Sequence, residues 1–191
     1  MSLSRPPFPS ASRAPLATWL WRCLEGEPIA PFALPGGSAV PRGEGVLELV
    51  PERPAADALA SVVSVGIHGN ETAPIELLQG CLERLAEGQA RLGAPVLLVL
   101  GSPAAVRRQV RYVGTNLNRL FRRELDKTGM EPDRARALMA AVDAFFARHG
   151  ALPEATYRDL VERAEALAFP VEELIEVEQG EACDPWREEA R

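Results

Sequence analysis

The sequence predicts an α/β fold, and three observations carry that expectation. Short apolar, β-branched runs read as strands, a helical repeat lies between two of them, and the junction of strand and helix holds a tight turn rich in polar residues. The chain has 191 residues, 47% hydrophobic and 25% charged, enough for one domain with a substantial core.

In chain order, residues 1–42 carry Pro6, Pro7, Pro9, Pro15, Pro28, Pro31, Pro35 and Pro41 with Gly36 and Gly37. Proline fixes φ and removes a donor, so this stretch reads as an arm lying over the domain, with one short helix around Ala14 to Glu25. Val46 to Val50 predicts a first strand, Val62 to Ile67 a second and Pro95 to Leu100 a third. The run from Ser61 to Ile67 is of the kind expected for a strand covered on both faces. Ile75, Leu78, Leu82 and Leu85 then recur at helical spacing, which makes a βαβ unit with the second and third strands. Ligands of open α/β sheets bind beyond the carboxyl ends of the strands, where His68 and Gly101-Ser102-Pro103 both fall.

Glu131 to Arg148 predicts a helix, with Ala135, Leu138, Val142 and Phe145 on one stripe. Residues 43–150 therefore read as one α/β domain. Residues 151–191 read as a further helix from Glu154 to Ala168, an edge strand from Val171 to Val177 and an acidic tail.

The net charge is −6 and the calculated pI is near 5.1. That balance argues against nucleic acid as the main partner, because phosphate binding needs a clustered positive surface; Arg107, Arg108 and Arg111 are the one local exception. Cys23, Cys81 and Cys183 are odd in number and have no C-x-x-C spacing, so they read as reduced thiols of a cytoplasmic protein. Leu16 to Leu24 is apolar, but Trp19, Trp21 and Arg22 interrupt it and no small-residue cleavage site follows. No run reaches the length of a membrane span. The oligomeric state is left open.

His68 and Glu71 are the nitrogen and oxygen donors that catalytic zinc accepts, three residues apart on the predicted turn. A bare H-x-x-E is short, and its plain alternative is a strand-end histidine followed by the helix-opening Thr72 and Pro74. The wider stretch Gly66-Ile67-His68-Gly69-Asn70-Glu71-Thr72-Ala73-Pro74, with Glu76, resembles the zinc motif of the succinylglutamate desuccinylase and aspartoacylase family. A second stretch is similar to that family's substrate-binding segment: Gly101-Ser102-Pro103-Ala104-Ala105-Val106, Arg111-Tyr112 and Asn116-Leu117-Asn118-Arg119-Leu120-Phe121. A third, weaker match is Gly43-Glu44-Gly45-Val46-Leu47-Glu48-Leu49. Thr72-Ala73-Pro74 and the Asn-Leu-Asn-Arg-Leu-Phe wording favour the bacterial desuccinylase branch.

The resemblance implies a zinc-carboxypeptidase-like α/β/α sandwich, wholly or in part, and hydrolysis of N-succinyl-L-glutamate to succinate and L-glutamate in arginine breakdown. It implies zinc on His68 and Glu71, Arg111 beside the oxyanion, and Asn118 and Arg119 on a substrate carboxylate. A guanidinium fork suits such a small acidic N-acyl amino acid. The family's third ligand, a histidine in an Asp-Leu-His-Thr type of segment, has no counterpart, and the chain has only one other histidine. That residue, His149, precedes Gly150 at a predicted helix end, where a dipole interaction is the ordinary reading. The family's general-base glutamate is also unmatched; Glu172, Glu173, Glu176 and Glu178 fit a solvated tail better. The sequence thus reads as the N-terminal half of such an enzyme, joined near residues 149–153 to a different tail. Loss of a positioned base costs about 10²- to 10⁴-fold in rate, so slow hydrolysis is expected. The alternatives are an inactive acyl-amino-acid-binding or regulatory subunit and a deacylase of another N-acyl amino acid.

Overall fold

A computed structural model describes residues 14–150 apart from 57, 123 and 124. The elements run α1 (Trp19–Glu25), β1 (Phe32–Leu34), β2 (Gly37–Gly43), β3 (Val46–Pro51), β4 (Ser61–Val65), α2 (Ala73–Ala86), β5 (Val96–Leu100), α3 (Pro103–Arg108), a 3₁₀ turn (Leu117–Arg119) and α4 (Met130–His149). The strands form one mixed sheet in the order β1-β2-β3-β5-β4. Only β4 and β5 are parallel, with Ser61 opposite Val96 and Val65 opposite Leu100, and α2 joins them as the expected βαβ unit.

Successive strand residues point to opposite faces, and the sheet is apolar on both. Leu47, Leu49, Leu98 and Leu100 face one way, against Trp19 and Leu20 of α1 and Ile75, Leu78 and Leu82 of α2. Val46, Leu97 and Val99 face the other way, against Leu117, Leu120 and the α4 residues Ala135, Leu138 and Phe145. Helices therefore cover both faces, and the helical stripes anticipated from spacing face the sheet, with Leu85 and Val142 only partly buried. No helix among the described residues is long and apolar enough to cross a membrane.

Two expectations are corrected. Residues 1–42 are not devoid of strands: β1 and nearly all of β2 lie there, and Leu16, Trp19 and Leu20 are core residues. Pro41 is accommodated where the β2–β3 register shifts between Pro41 and Gly43, and β1 pairs only with Gly37 to Ala39. A missing donor costs nothing beside an unpaired edge, so proline spacing misled here. Nor is β4 covered like a central strand. It stands at the sheet edge with Ser61, Val63 and Ser64 exposed, whereas β5 is buried from Leu97 to Leu100. β-branched composition is common to edge and centre, and position in the sheet follows from topology. The helix and strand expected within 154–177 lie outside the described residues.

At its first turns α4 is clamped to the carboxyl end of β5. Arg134 donates from Nε to the Gly101 carbonyl at 2.8 Å, from Nη2 to Leu100 at 2.7 Å and from Nη1 to Glu44 at 2.6 Å. The helix has 20 residues, so it spans about 30 Å and carries its last turn away from that rim.

Candidate functional site

β4 ends at Val65, and Gly66 turns the chain with φ +62°, a left-handed value that favours glycine. The turn is knitted to the end of β5 by Gly101 N–H to Val65 O and Ser102 N–H to Gly66 O, both 2.8 Å. Gly69 is required for a different reason. A Cβ there would lie 2.0 Å from the backbone carbon of Ala105, so the turn rests directly on α3. The Gly69 N–H donates to the Arg111 carbonyl at 3.2 Å, which ties the loop after α3 to the same place.

This packing buries His68 to 5% exposure and aims both ring nitrogens. Nδ1 lies 2.8 Å from Glu71 Oε1 and Nε2 lies 3.0 Å from Asn116 Oδ1. Asn116 is also buried, and its Oδ1 accepts the Asn118 N–H at 3.1 Å. Glu71, by contrast, is half-exposed. A nitrogen and a carboxylate oxygen thus converge at the solvent side of a buried ring, a donor pair of the kind found in catalytic zinc sites. Such sites use three protein ligands, and among the described residues no group of three or more His, Cys, Asp or Glu is placed to hold a metal.

The loop carrying the expected substrate residues folds beside this turn. Arg111 meets it through its carbonyl, the segment from Asn116 to Arg119 meets it through Asn116, and Arg111, Asn118 and Arg119 are all exposed. A cavity of ≈ 520 Å³ lies between α3 and α4, lined by Ser102, Arg107, Leu117, Glu131 and Arg134 among others. Its lining does not include His68 or Glu71.

His149 is elsewhere. Its Nε2 lies 2.6 Å from Oε1 of the buried Glu48, while Arg42 Nε and Arg148 Nη2 each lie 2.6 Å from Oε2. Glu48 stands opposite Leu97, near the amino end of β5, whereas His68 follows the carboxyl end of β4. The two histidines are therefore not brought together. Burial raises the Glu48 carboxyl, but hydrogen bonds from Arg148, His149 and Arg42 outweigh it and bring the pKa down to about 2. Sequence reading quoted Asn116 and Glu48 within matched segments but gave neither a role. Asn116 had a usable signal, an Asx residue directly before a turn; Glu48, inside an apolar strand, had only its own oddity.

The fold and site together define a mixed α/β domain with a histidine–carboxylate pair at the carboxyl rim of its parallel strands. The succinylglutamate desuccinylase/aspartoacylase catalytic domain model matches residues 58–159, and the chain belongs to that family. It is 43% identical over 106 residues to the succinylglutamate desuccinylase of Pseudomonas paraeruginosa, covering 55% of this chain and 32% of that protein. Against the enzyme of Pseudomonas putida it is 44% identical over 110 residues, covering 56% and 32%. The crystal structure of the Chromobacterium violaceum succinylglutamate desuccinylase superposes with a TM-score of 0.62 at 34% identity, covering 71% of this chain and 43% of that one. The chain thus matches about a third of the length of these curated relatives.

Proposed function

We propose that this chain carries the metal-binding and substrate-binding part of a zinc-dependent amidohydrolase acting on N-acylated acidic amino acids, with N-succinyl-L-glutamate as the first candidate. The observation that carries the reading is the convergence of His68 Nδ1 and Glu71 Oε1 at 2.8 Å on the rim where sheet ligands bind. A zinc ion bound there would polarise the acyl carbonyl and lower the pKa of a water. The rest falls to the chain's own side chains. His68 is held by burial, so its ring cannot swing away from Glu71. Arg111 would face the carbonyl oxygen, and Asn118 and Arg119 would hold a substrate carboxylate; their exposure leaves them accessible to a small anion. A cytoplasmic setting suits Cys23 and Cys81, which are both free.

With two donors and no recognised counterpart of the family's general-base glutamate, hydrolysis by this chain is expected to be slow. Calorimetry with zinc tests the site: binding should be present in the parent chain, lost in His68→Ala and Glu71→Ala, and kept in His149→Ala. Equal binding in all four would overturn the assignment. Turnover of N-succinyl-L-glutamate at roughly 10 s⁻¹, a median enzyme rate, would overturn the expectation of slow hydrolysis.

A further inference from the structure

We infer that Glu131 is a positioning residue for substrate recognition: from the first turn of α4 its carboxylate holds the loop between α3 and the 3₁₀ turn in the shape that presents Arg111, Asn118 and Arg119. Glu131 is 9% exposed, and its Oε1 accepts the Gly114 N–H at 2.7 Å across 17 residues of chain. A methyl on Gly114 would stand 3.3 Å from Oε2 and 3.5 Å from Oε1, so the carboxylate lies against bare backbone there. Gly114 falls between Arg111 and Asn118, in a stretch at 109–116 with no helix or strand. The Arg111 carbonyl and Asn116 tie that stretch to the turn of His68, and Glu131 ties its middle to α4. A segment without ladder hydrogen bonds keeps its shape by such anchors, and a charged acceptor makes a strong one. None of the ion pairs among the described residues includes Glu131. The backbone N–H and the amino end of the helix are what offset the burial of its charge. Arg134, one turn along, fixes the same end of α4 to the Leu100 and Gly101 carbonyls, so the anchor stands on a rigid element.

The binding consequence rests on the function proposed above, whereas the loop anchor does not. Two variants of the full chain separate an anchor from a charge that merely serves the helix dipole. Glu131→Asp keeps the charge at the helix start but is too short to reach Gly114; Glu131→Gln gives up the charge and keeps the acceptor oxygen at the same reach. Gly114 is itself exposed, so its N–H owes its protection to this bond. Amide exchange at Gly114, read by nuclear magnetic resonance, should be about 10- to 100-fold faster in Glu131→Asp, the worth of a charged hydrogen bond expressed as an equilibrium constant, and largely restored in Glu131→Gln. Calorimetry with N-succinyl-L-glutamate should show about 10-fold weaker binding in Glu131→Asp, because fewer molecules hold the competent loop, and recovery in Glu131→Gln, with zinc binding kept in both. Parent-like exchange in Glu131→Asp would overturn the inference, as would loss in Glu131→Gln alone, which would assign the residue to the helix dipole. Fast exchange with unchanged N-succinyl-L-glutamate affinity would overturn the role in recognition. A parent chain that shows the expected exchange pattern and binds no N-succinyl-L-glutamate would leave the anchor standing and remove the substrate reading instead.

Discussion

Among the described residues two histidine–glutamate pairs have nearly equal length, and they are built in opposite ways. At His149 the carboxylate is the buried partner: Glu48 is 1% exposed, and Arg42 and Arg148 join the histidine around it. At His68 the histidine is the buried partner, and the half-exposed Glu71 brings its charge to the rim. A buried carboxylate with three cationic or polar donors is fully committed, and its removal would leave those donors without their common partner. An exposed carboxylate beside an aimed imidazole keeps coordination capacity in reserve. The first pair pins the last turn of α4 to β3; the second is the pair proposed above to hold a metal. The difference lies in which partner is desolvated, not in the distance between them.

The sharpest way to break this contrast is to remove each carboxylate in turn. Glu48→Gln should cost about 2 to 3 kcal/mol, the penalty for breaking a buried ion pair reduced because Arg42 and Arg148 are partly exposed, read as a lower denaturation midpoint in urea. Zinc affinity of the folded protein should not change, because the cluster lies at the other end of the sheet. Acid should dissect the same cluster. The Glu48 pKa is depressed from 4.5 to about 2, so its contribution is fully present above about pH 4.5 and is lost as pH falls through about 2. The shift corresponds to about 3 kcal/mol at most. Stability in Glu48→Gln should accordingly fall less over that window than in the parent chain, and parallel curves would show that Glu48 is not the titrating group.

Gly69→Ala sits between the two extremes. Its methyl would meet the Ala105 backbone rather than a movable side chain, so a cost of about 1 to 3 kcal/mol is expected. Zinc binding should weaken with it, because the turn that aims His68 must shift. The smallest stability effect belongs to Glu71→Gln, expected to change the unfolding free energy by less than about 1 kcal/mol, as for other exposed pairs. A loss of several kcal/mol there would mean that the rim pair is a second structural clamp.

Local chemistry determined a good part of this molecule. The stripe Ala135, Leu138, Phe145 defines α4, the repeat Ile75, Leu78, Leu82 defines α2, and His68 and Glu71 meet because a turn and the start of a helix leave them three residues apart. Each of these depends on neighbours within about one helical turn, a range over which spacing in the chain is spacing in space. The tertiary structure alone decided the rest. Asn116 reaches His68 across 48 residues and His149 reaches Glu48 across 101. β1 and β2 pair within a proline-rich stretch, and β4 takes the edge although its composition suits the centre. Such contacts depend on sheet order, register and the direction of a helix about 30 Å long. Those are set when both faces of the sheet are buried together, so no short window of residues contains them.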